Sequence, residues 1–143
     1  MIYFDSSALV KRYIEEEGSD KVNALLKEGS FAVVSSLAYS EILAAITRRH
    51  KAGDIETCGL ERIKKAFKAD WVFLTVVEMH KEIFQSIDEV IARHALKGAD
   101  SIHLSTALWP KKTTKEDVVF VASDHELLKA ARAENLEIYN PGR

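Results

Sequence analysis

A single cysteine, Cys58, rules out an internal disulfide in this 143-residue chain and argues against a thiolate zinc site. Only two prolines and six glycines are present. No Pro/Gly/Ser-rich linker, repeat or low-complexity tract divides the chain. No apolar run nears the ~18 residues a membrane span needs, and the opening MIYFDSSALV lacks the basic flank and apolar stretch of a signal peptide. Basic charge is not in excess either. Twenty Lys and Arg face 22 Asp and Glu, a formal net charge of -2, which argues against a simple charge-driven nucleic-acid binder. The expectation is one domain over residues 1–143, in a reducing cytoplasm and away from membranes.

What is present is a core. Hydrophobic residues make up 47% of the chain, which excludes disorder, and a chain of this size buries roughly two-thirds of its unfolded surface. Short β-branched or aromatic runs at Ile2–Phe4, Phe31–Val34, Val72–Val77, Val118–Val121 and Glu137–Tyr139 read as five strands. Between them lie helical patterns over Ser7–Ile14, Asp20–Lys27, Leu37–His50, Ile55–Lys68, Glu78–Ala95, Asp100–Leu108 and His125–Ala133. In the stretch Glu78–Ala95, Met79, Ile83, Ile87, Val90 and Ile91 recur at helical spacing. Pro110 and Pro141 are expected just past the ends of elements. Strands that are apolar on both faces, such as VVFVA at 118–122, belong in a sheet covered by helices on both sides. The alternation predicts a three-layer α/β fold with a mainly parallel sheet, whose ligands bind at the carboxyl ends of the strands.

Four acids stand apart from the mixed-charge surface stretches. Asp5 is the only charge between Met1 and Val10, Glu41 the only one between Phe31 and Thr47, and Asp100 the only one between Ala99 and Pro110. Asp124 follows the strand-like VVFVAS. A carboxylate in an apolar segment costs several kcal/mol unless it is paired, hydrogen-bonded or metal-bound. Helix capping would account for Asp5, Asp100 or Asp124 taken singly, but not for Glu41, which lies inside its helix. Asp5, Asp124 and the helix bearing Glu41 all fall where an α/β sheet opens its crevice. Carboxylates gathered there repel one another unless cations neutralise them, and an all-oxygen donor set suits one or two hard divalent ions. Such ions lower the pKa of water and offset the charge that develops on a phosphodiester under attack. Ser6, Ser7 and Ser123 adjoin two of the acids and are placed either to support them or to cap helices.

The segments IYFDSSALVKRY, SSLAYSEILAA, ADSIHLSTAL and FVASDHELLKAA, followed by LEIYNP, closely resemble the PIN-domain ribonucleases, and specifically toxins of the VapC type. The resemblance runs from Ile2 to about Pro141. Carried over by position, the family's acidic metal ligands fall on Asp5, Glu41, Asp100 and Asp124, its hydroxyls on Ser6, Ser7 and Ser123, and a common histidine position on His103. The resemblance implies a five-stranded parallel sheet sandwiched by helices, in an α/β/α arrangement. It further implies Mg2+- or Mn2+-dependent cleavage of RNA, homodimerisation, and an antitoxin whose C-terminal segment blocks the acidic site.

Rival Asp-centred α/β folds fail on single residues. A haloacid-dehalogenase-type phosphatase needs a second Asp where Ser7 stands, a receiver domain needs a Lys late in the sheet where VASDH stands, and a nucleotide-binding turn needs glycines that DSSAL lacks. Two readings remain beside the toxin: a housekeeping PIN nuclease, and a non-enzymatic interaction module whose acids only cap helices. For RNA, Lys11 and Arg12, the run Arg48, Arg49, His50 and Lys51, and Lys111, Lys112 and Lys115 are candidate phosphate contacts. Trp71 and Trp109 are candidates either for base stacking or for the core. The net charge fits this reading too. The four acids contribute -4, so the rest of the chain carries +2.

Overall fold

The computed structural model describes residues 1–27 and 31–143. Five parallel strands form one sheet in the order β3-β2-β1-β4-β5, with β1 at Ile2–Phe4, β2 at Ala32–Ser35, β3 at Thr75–Val77, β4 at Val119–Val121 and β5 at Glu137–Tyr139. The helices are α1 (Ser6–Leu9), continued by a 3-10 turn at Val10–Arg12, α2 (Ser19–Lys27), α3 (Leu37–Lys51), α4 (Thr57–Trp71), α5 (Lys81–His94), α6 (Gly98–Thr114) and α7 (His125–Ala133). The expected α/β/α sandwich with a five-stranded parallel sheet is the architecture found.

Strand pleating sorts the core into two layers, because successive side chains point to opposite faces. Ile2 and Phe4 of β1 pack with Val34, Val121, Leu9, Val22, Ala38, Ile42, Ile46 and Phe67, so α1 to α4 cover that face. Tyr3 points the other way and packs with Val33, Phe120, Val90, Leu104, Leu108, Leu127 and Ala131, from the side of α5, α6 and α7. All three β1 side chains are buried. That is why the segment is apolar throughout rather than alternating.

Two sequence expectations are corrected. The strand expected at Val72–Val77 starts only at Thr75, because α4 continues through Trp71, whose ring packs edge-on against Tyr39 and Phe67. Val72 and Phe73 then lie in a turn closed by bonds from Phe73 N–H to the Asp70 carbonyl and from Leu74 N–H to the Trp71 carbonyl. They are 79% and 89% exposed, so the apolar run is a surface feature and not a strand. Pro110 does not end its helix either: α6 runs through it to Thr114. The Pro110 side chain is buried, so its packing offsets the lost backbone donor. Pro141 does follow the end of β5, as expected.

The strand order decides where a site can form. The chain steps outward from β1 to β2 and β3, crosses back, and steps outward again through β4 and β5. The reversal lies between β1 and β4, and the crevice of such a sheet opens outside the carboxyl ends of the strands at that point.

Candidate active site at the carboxyl edge of the sheet

Asp5 and Asp124 flank the reversal point directly. The Asp5 N–H donates to the Val121 carbonyl at 2.9 Å, which pins the residue after β1 to the end of β4. Its side chain caps α1: Oδ2 accepts from the Ser7 N–H at 3.1 Å and from the Ser7 hydroxyl at 2.5 Å. Ser7 Oγ in turn accepts from the Ser123 N–H at 3.0 Å, joining the β1 and β4 termini through one hydroxyl. Asp124 caps α7, with Oδ1 accepting from the Leu127 N–H at 2.8 Å.

Capping therefore explains half of each of these carboxyl groups. It does not explain the other two acids. Lys97 holds the N-cap position of α6, which leaves Asp100 as the third residue of that helix, with no side-chain hydrogen bond among the described residues. Glu41 sits in the second turn of α3, whose start follows β2 and is tied to β3 by the Ser36 N–H donating to the Val77 carbonyl. Glu41 Oε1 accepts from the Ser6 hydroxyl at 2.8 Å and from His103 Nε2 at 2.5 Å. His103 is 1% exposed, and its Nε2 also lies 3.5 Å from Asp5 Oδ1. On the other side of the ring, Nδ1 is 2.8 Å from the Tyr3 hydroxyl.

One pattern recurs across these bonds. Asp5, Glu41 and Asp124 each commit one carboxylate oxygen to protein donors. Among the described residues, the second oxygen accepts no hydrogen bond, apart from the 3.5 Å approach of His103 to Asp5 Oδ1. One-sided anchoring of this kind leaves a single oxygen per acid for an ion, with its orientation already set.

The electrostatics agree with crowding. Burial pushes the Asp100 carboxyl above the usual carboxylate range, and the charges of Asp5 and Asp124 push it further, against a smaller opposing effect of His103 and Lys97. Burial also works against ionised Glu41. The hydrogen bond from His103, its charge and the Ser6 hydroxyl outweigh this, and the net direction is downward. For His103, burial disfavours the charged ring, but the bond to Glu41 and the charge of Asp5 hold its pKa above the ordinary histidine value.

Of the expected site residues, the structure thus brings Asp5, Glu41, Ser6, Ser7 and His103 into direct contact and sets Asp100 and Asp124 within electrostatic reach. Among the described residues, no three His, Cys, Asp or Glu side chains are already gathered at the spacing of a metal cluster. The donor chemistry still fits a hard divalent ion: oxygens only, on three or four acids, with room for water. The Ser123 hydroxyl is buried and has no hydrogen-bond partner among the described residues.

The cationic residues fare differently. Lys11 is buried, with its ammonium held by Glu16 Oε1 at 3.0 Å and the Glu17 carbonyl at 2.9 Å. Arg12 pairs with Asp70 Oδ2 at 2.6 Å, at the end of α4 that leads into the start of β3, on the sheet edge opposite the acids. Arg49 pairs with Glu16 and Asp54. Lys111, Lys112 and Lys115 close α6 ahead of the start of β4, again on the opposite edge. These residues are structural ties or lie off the crevice. Arg48 and Lys51 are exposed and have no ion pair among the described residues, His50 Nε2 lies 3.3 Å from the Thr57 hydroxyl, and of these Arg48 shares the Glu41 face of α3 at seven residues' spacing. The tryptophans are not in the crevice. Trp71 packs against Tyr39 and Phe67, and Trp109 Nε1 donates to Glu82 at 2.6 Å. Sequence reasoning missed Tyr3, although a tyrosine in a strand buried on both faces needs a partner for its hydroxyl.

Comparison with known proteins agrees. A model of the PIN domain matches residues 2–133. "Ribonuclease VapC45" of Mycobacterium tuberculosis is 37% identical over 111 residues, which is 76% of this chain and 75% of that protein. Among solved structures, a toxin-antitoxin complex from Klebsiella pneumoniae superimposes with a TM-score of 0.69 at 13% identity, over 99% of this chain and 98% of the other. VapBC2 from Rickettsia felis, bound to a DNA fragment from its promoter, gives a TM-score of 0.67 at 15% identity, over 98% of each chain. These two share the fold. With the family match covering nearly the whole chain and the acidic crevice at the reversal of its sheet, the protein belongs to the PIN-domain family, in the group that includes the VapC ribonucleases.

Proposed function

We propose that the chain is a divalent-metal-dependent ribonuclease that hydrolyses RNA phosphodiester bonds, and that it acts as the toxin of a toxin-antitoxin pair. The observation that carries this reading is the one-sided anchoring of Asp5, Glu41 and Asp124 around a raised Asp100 at the β1/β4 edge. Asp5, Glu41, Asp100 and Asp124 hold one or two Mg2+ or Mn2+ ions. When bound, such an ion lowers the pKa of water and neutralises charge developing on the phosphate. The chain's own residues do the rest. Ser7 and the α7 N-terminus fix the orientation of Asp5 and Asp124, and Ser6 and His103 fix Glu41. The Ser123 hydroxyl, adjoining Asp124 in the chain, is a donor with no partner among the described residues.

The toxin role is supported by a relative named as a VapC ribonuclease and by likeness to a toxin-antitoxin complex. The partners are then RNA, a protein antitoxin and a second copy of the chain, in the cytoplasm. No helix among the described residues is long and apolar enough to cross a membrane. The direct test is cleavage of a mixed RNA pool by the purified protein. Chelation with EDTA should stop it, and excess Mn2+ or Mg2+ should restore it; cleavage that persists undiminished in EDTA would remove the metal from the reading.

On this reading substrate runs along the α3 face past the acids. Arg48 lies two turns beyond Glu41, about 10 Å along the helix axis. Arg48→Ala is expected to weaken RNA binding across sequences and to lower the slope of log affinity against log salt by about 1, leaving metal binding as it was. Titrations of catalytically silent protein at several salt concentrations read both quantities. An unchanged slope would place the RNA elsewhere.

A further inference from the structure

Tyr3 lies in the middle of β1, fully buried, where its ring stacks on Phe120 with centroids 5.3 Å apart and planes 8° apart. Phenylalanine would satisfy that packing. The hydroxyl lies 2.8 Å from Nδ1 of His103. His103 stands one turn beyond Asp100 on α6, 1% exposed, with its other nitrogen 2.5 Å from Glu41 Oε1. A carboxylate only accepts, so the contact with Glu41 requires the proton on Nε2. Nδ1 then meets the Tyr3 hydroxyl, which can donate to a neutral ring or accept from a charged one, so the contact fixes the ring's orientation in either state. Three elements, β1, α6 and α3, are joined through one line of bonds that ends on a single oxygen of Glu41.

Resting on the metal-site reading above, we propose that Tyr3 is a positioning residue of the acidic site. Its hydroxyl fixes the orientation of the His103 ring, and through His103 it holds Glu41 by Oε1, leaving Oε2 as the oxygen offered to an ion. Without the hydroxyl, Nδ1 loses this partner and the ring is no longer held in the orientation that presents Nε2 to Glu41. The Nε2 contact with Glu41 Oε1 then loosens and the anchor weakens. Ser6 remains as the sole donor to Oε1 at 2.8 Å, and it does not fix the carboxylate plane alone. Outer partners of ligand side chains commonly carry about 10–100-fold in metal affinity, and this line is the one that reaches Glu41 from the protein interior.

Tyr3→Phe keeps the ring and removes only the oxygen. Calorimetric titration of the RNA-free protein with Mn2+ should show affinity reduced about tenfold, with cooperative melting retained. His103→Gln offers Glu41 an amide N–H that does not depend on Tyr3. In that background Tyr3→Phe should cause no further loss, whereas a purely structural tyrosine would give losses that multiply. In the unmodified protein, 15N spectra of the ring should show Nε2 protonated, and a proton on Nδ1 alone would overturn the proposal even if a variant failed to fold. Asp100→Asn separates the two levels. If it binds Mn2+ as the parent does, the ion site itself is wrong and the role of Tyr3 falls with it. If it loses the ion while Tyr3→Phe stays within about twofold of the parent, the ion site stands and the positioning role is overturned.

Discussion

Asp5→Asn is expected to lower RNA cleavage by about three orders of magnitude or more, and Asp100→Asn to do the same. The estimate follows from the share of the reaction assigned to the ions: stabilising charge on a phosphoryl group is worth several kcal/mol, and each ~1.4 kcal/mol is a factor of ten in rate. Both variants should fold. Asn at position 5 retains an oxygen that can accept from the Ser7 N–H, so the cap on α1 survives. Asp100 makes no side-chain hydrogen bond among the described residues that an amide would break. A second readout needs no RNA. Mn2+ at a hundredfold excess over its Kd should stabilise the parent by about 2.7 kcal/mol, on the order of 10 °C in Tm, and both variants should lose most of that shift. If the two variants cleave RNA within tenfold of the parent, the acids are helix caps and the assignment fails.

How these acids could be read from the chain, while the cations could not, has a physical basis. A carboxylate inside an apolar segment conflicts with its own neighbourhood, and sequence displays that conflict: Glu41 among Leu37, Ala38, Ala44 and Ala45 needs a compensating partner wherever the helix lies. Lys11, Arg12 and Arg49 carry no such signal. Their partners Glu16, Asp70 and Asp54 are ordinary acids, two of them at separations of 33 and 58 residues, and only the packed chain reveals who pairs with whom. The same division holds for the fold. Strands such as Ile2–Phe4 and Glu137–Tyr139 are set by local composition and turn up where expected. The start of β3 depends on how far α4 can extend while Phe67 and Trp71 still find Tyr39, which is a tertiary matter. Pro110 is similar: the backbone rule against a helix-interior proline was overridden by burial of its side chain. Asp100 was legible as an isolated charge, but not as the acid that feels the other two.

That last property sets the second large effect, on stability without metal. The folded-state pKa of Asp100 lies above its unfolded value, because burial and the charges of Asp5 and Asp124 all disfavour ionisation. The folded chain therefore holds this proton more tightly than the unfolded chain. The sign follows. The favourable contribution is complete below the unfolded pKa, near 4, and is lost as pH rises through the folded pKa, so at neutral pH the ionised Asp100 is a net burden on the metal-free protein. Asp100→Asn removes the burden. The metal-free variant should melt higher than the metal-free parent at pH 7, and the difference should close as pH falls below the ordinary carboxylate range. Glu41 and His103 set a contrasting background. The lowered pKa of Glu41 adds stability that disappears on acidification, and the raised pKa of His103 adds stability that disappears as pH rises past neutrality. Both contributions are nearly common to parent and variant, so they largely cancel in the difference curve. Adding Mn2+ at pH 7 should reverse the order, because the parent regains through ion binding what Asp100 costs it, and the variant does not. Calorimetric melts of the two proteins across pH, with EDTA and with Mn2+, give all four curves. If Asp100→Asn melts below the parent in EDTA at pH 7, Asp100 is a stabilising residue, and the strain that motivates a cation at this edge of the sheet is absent.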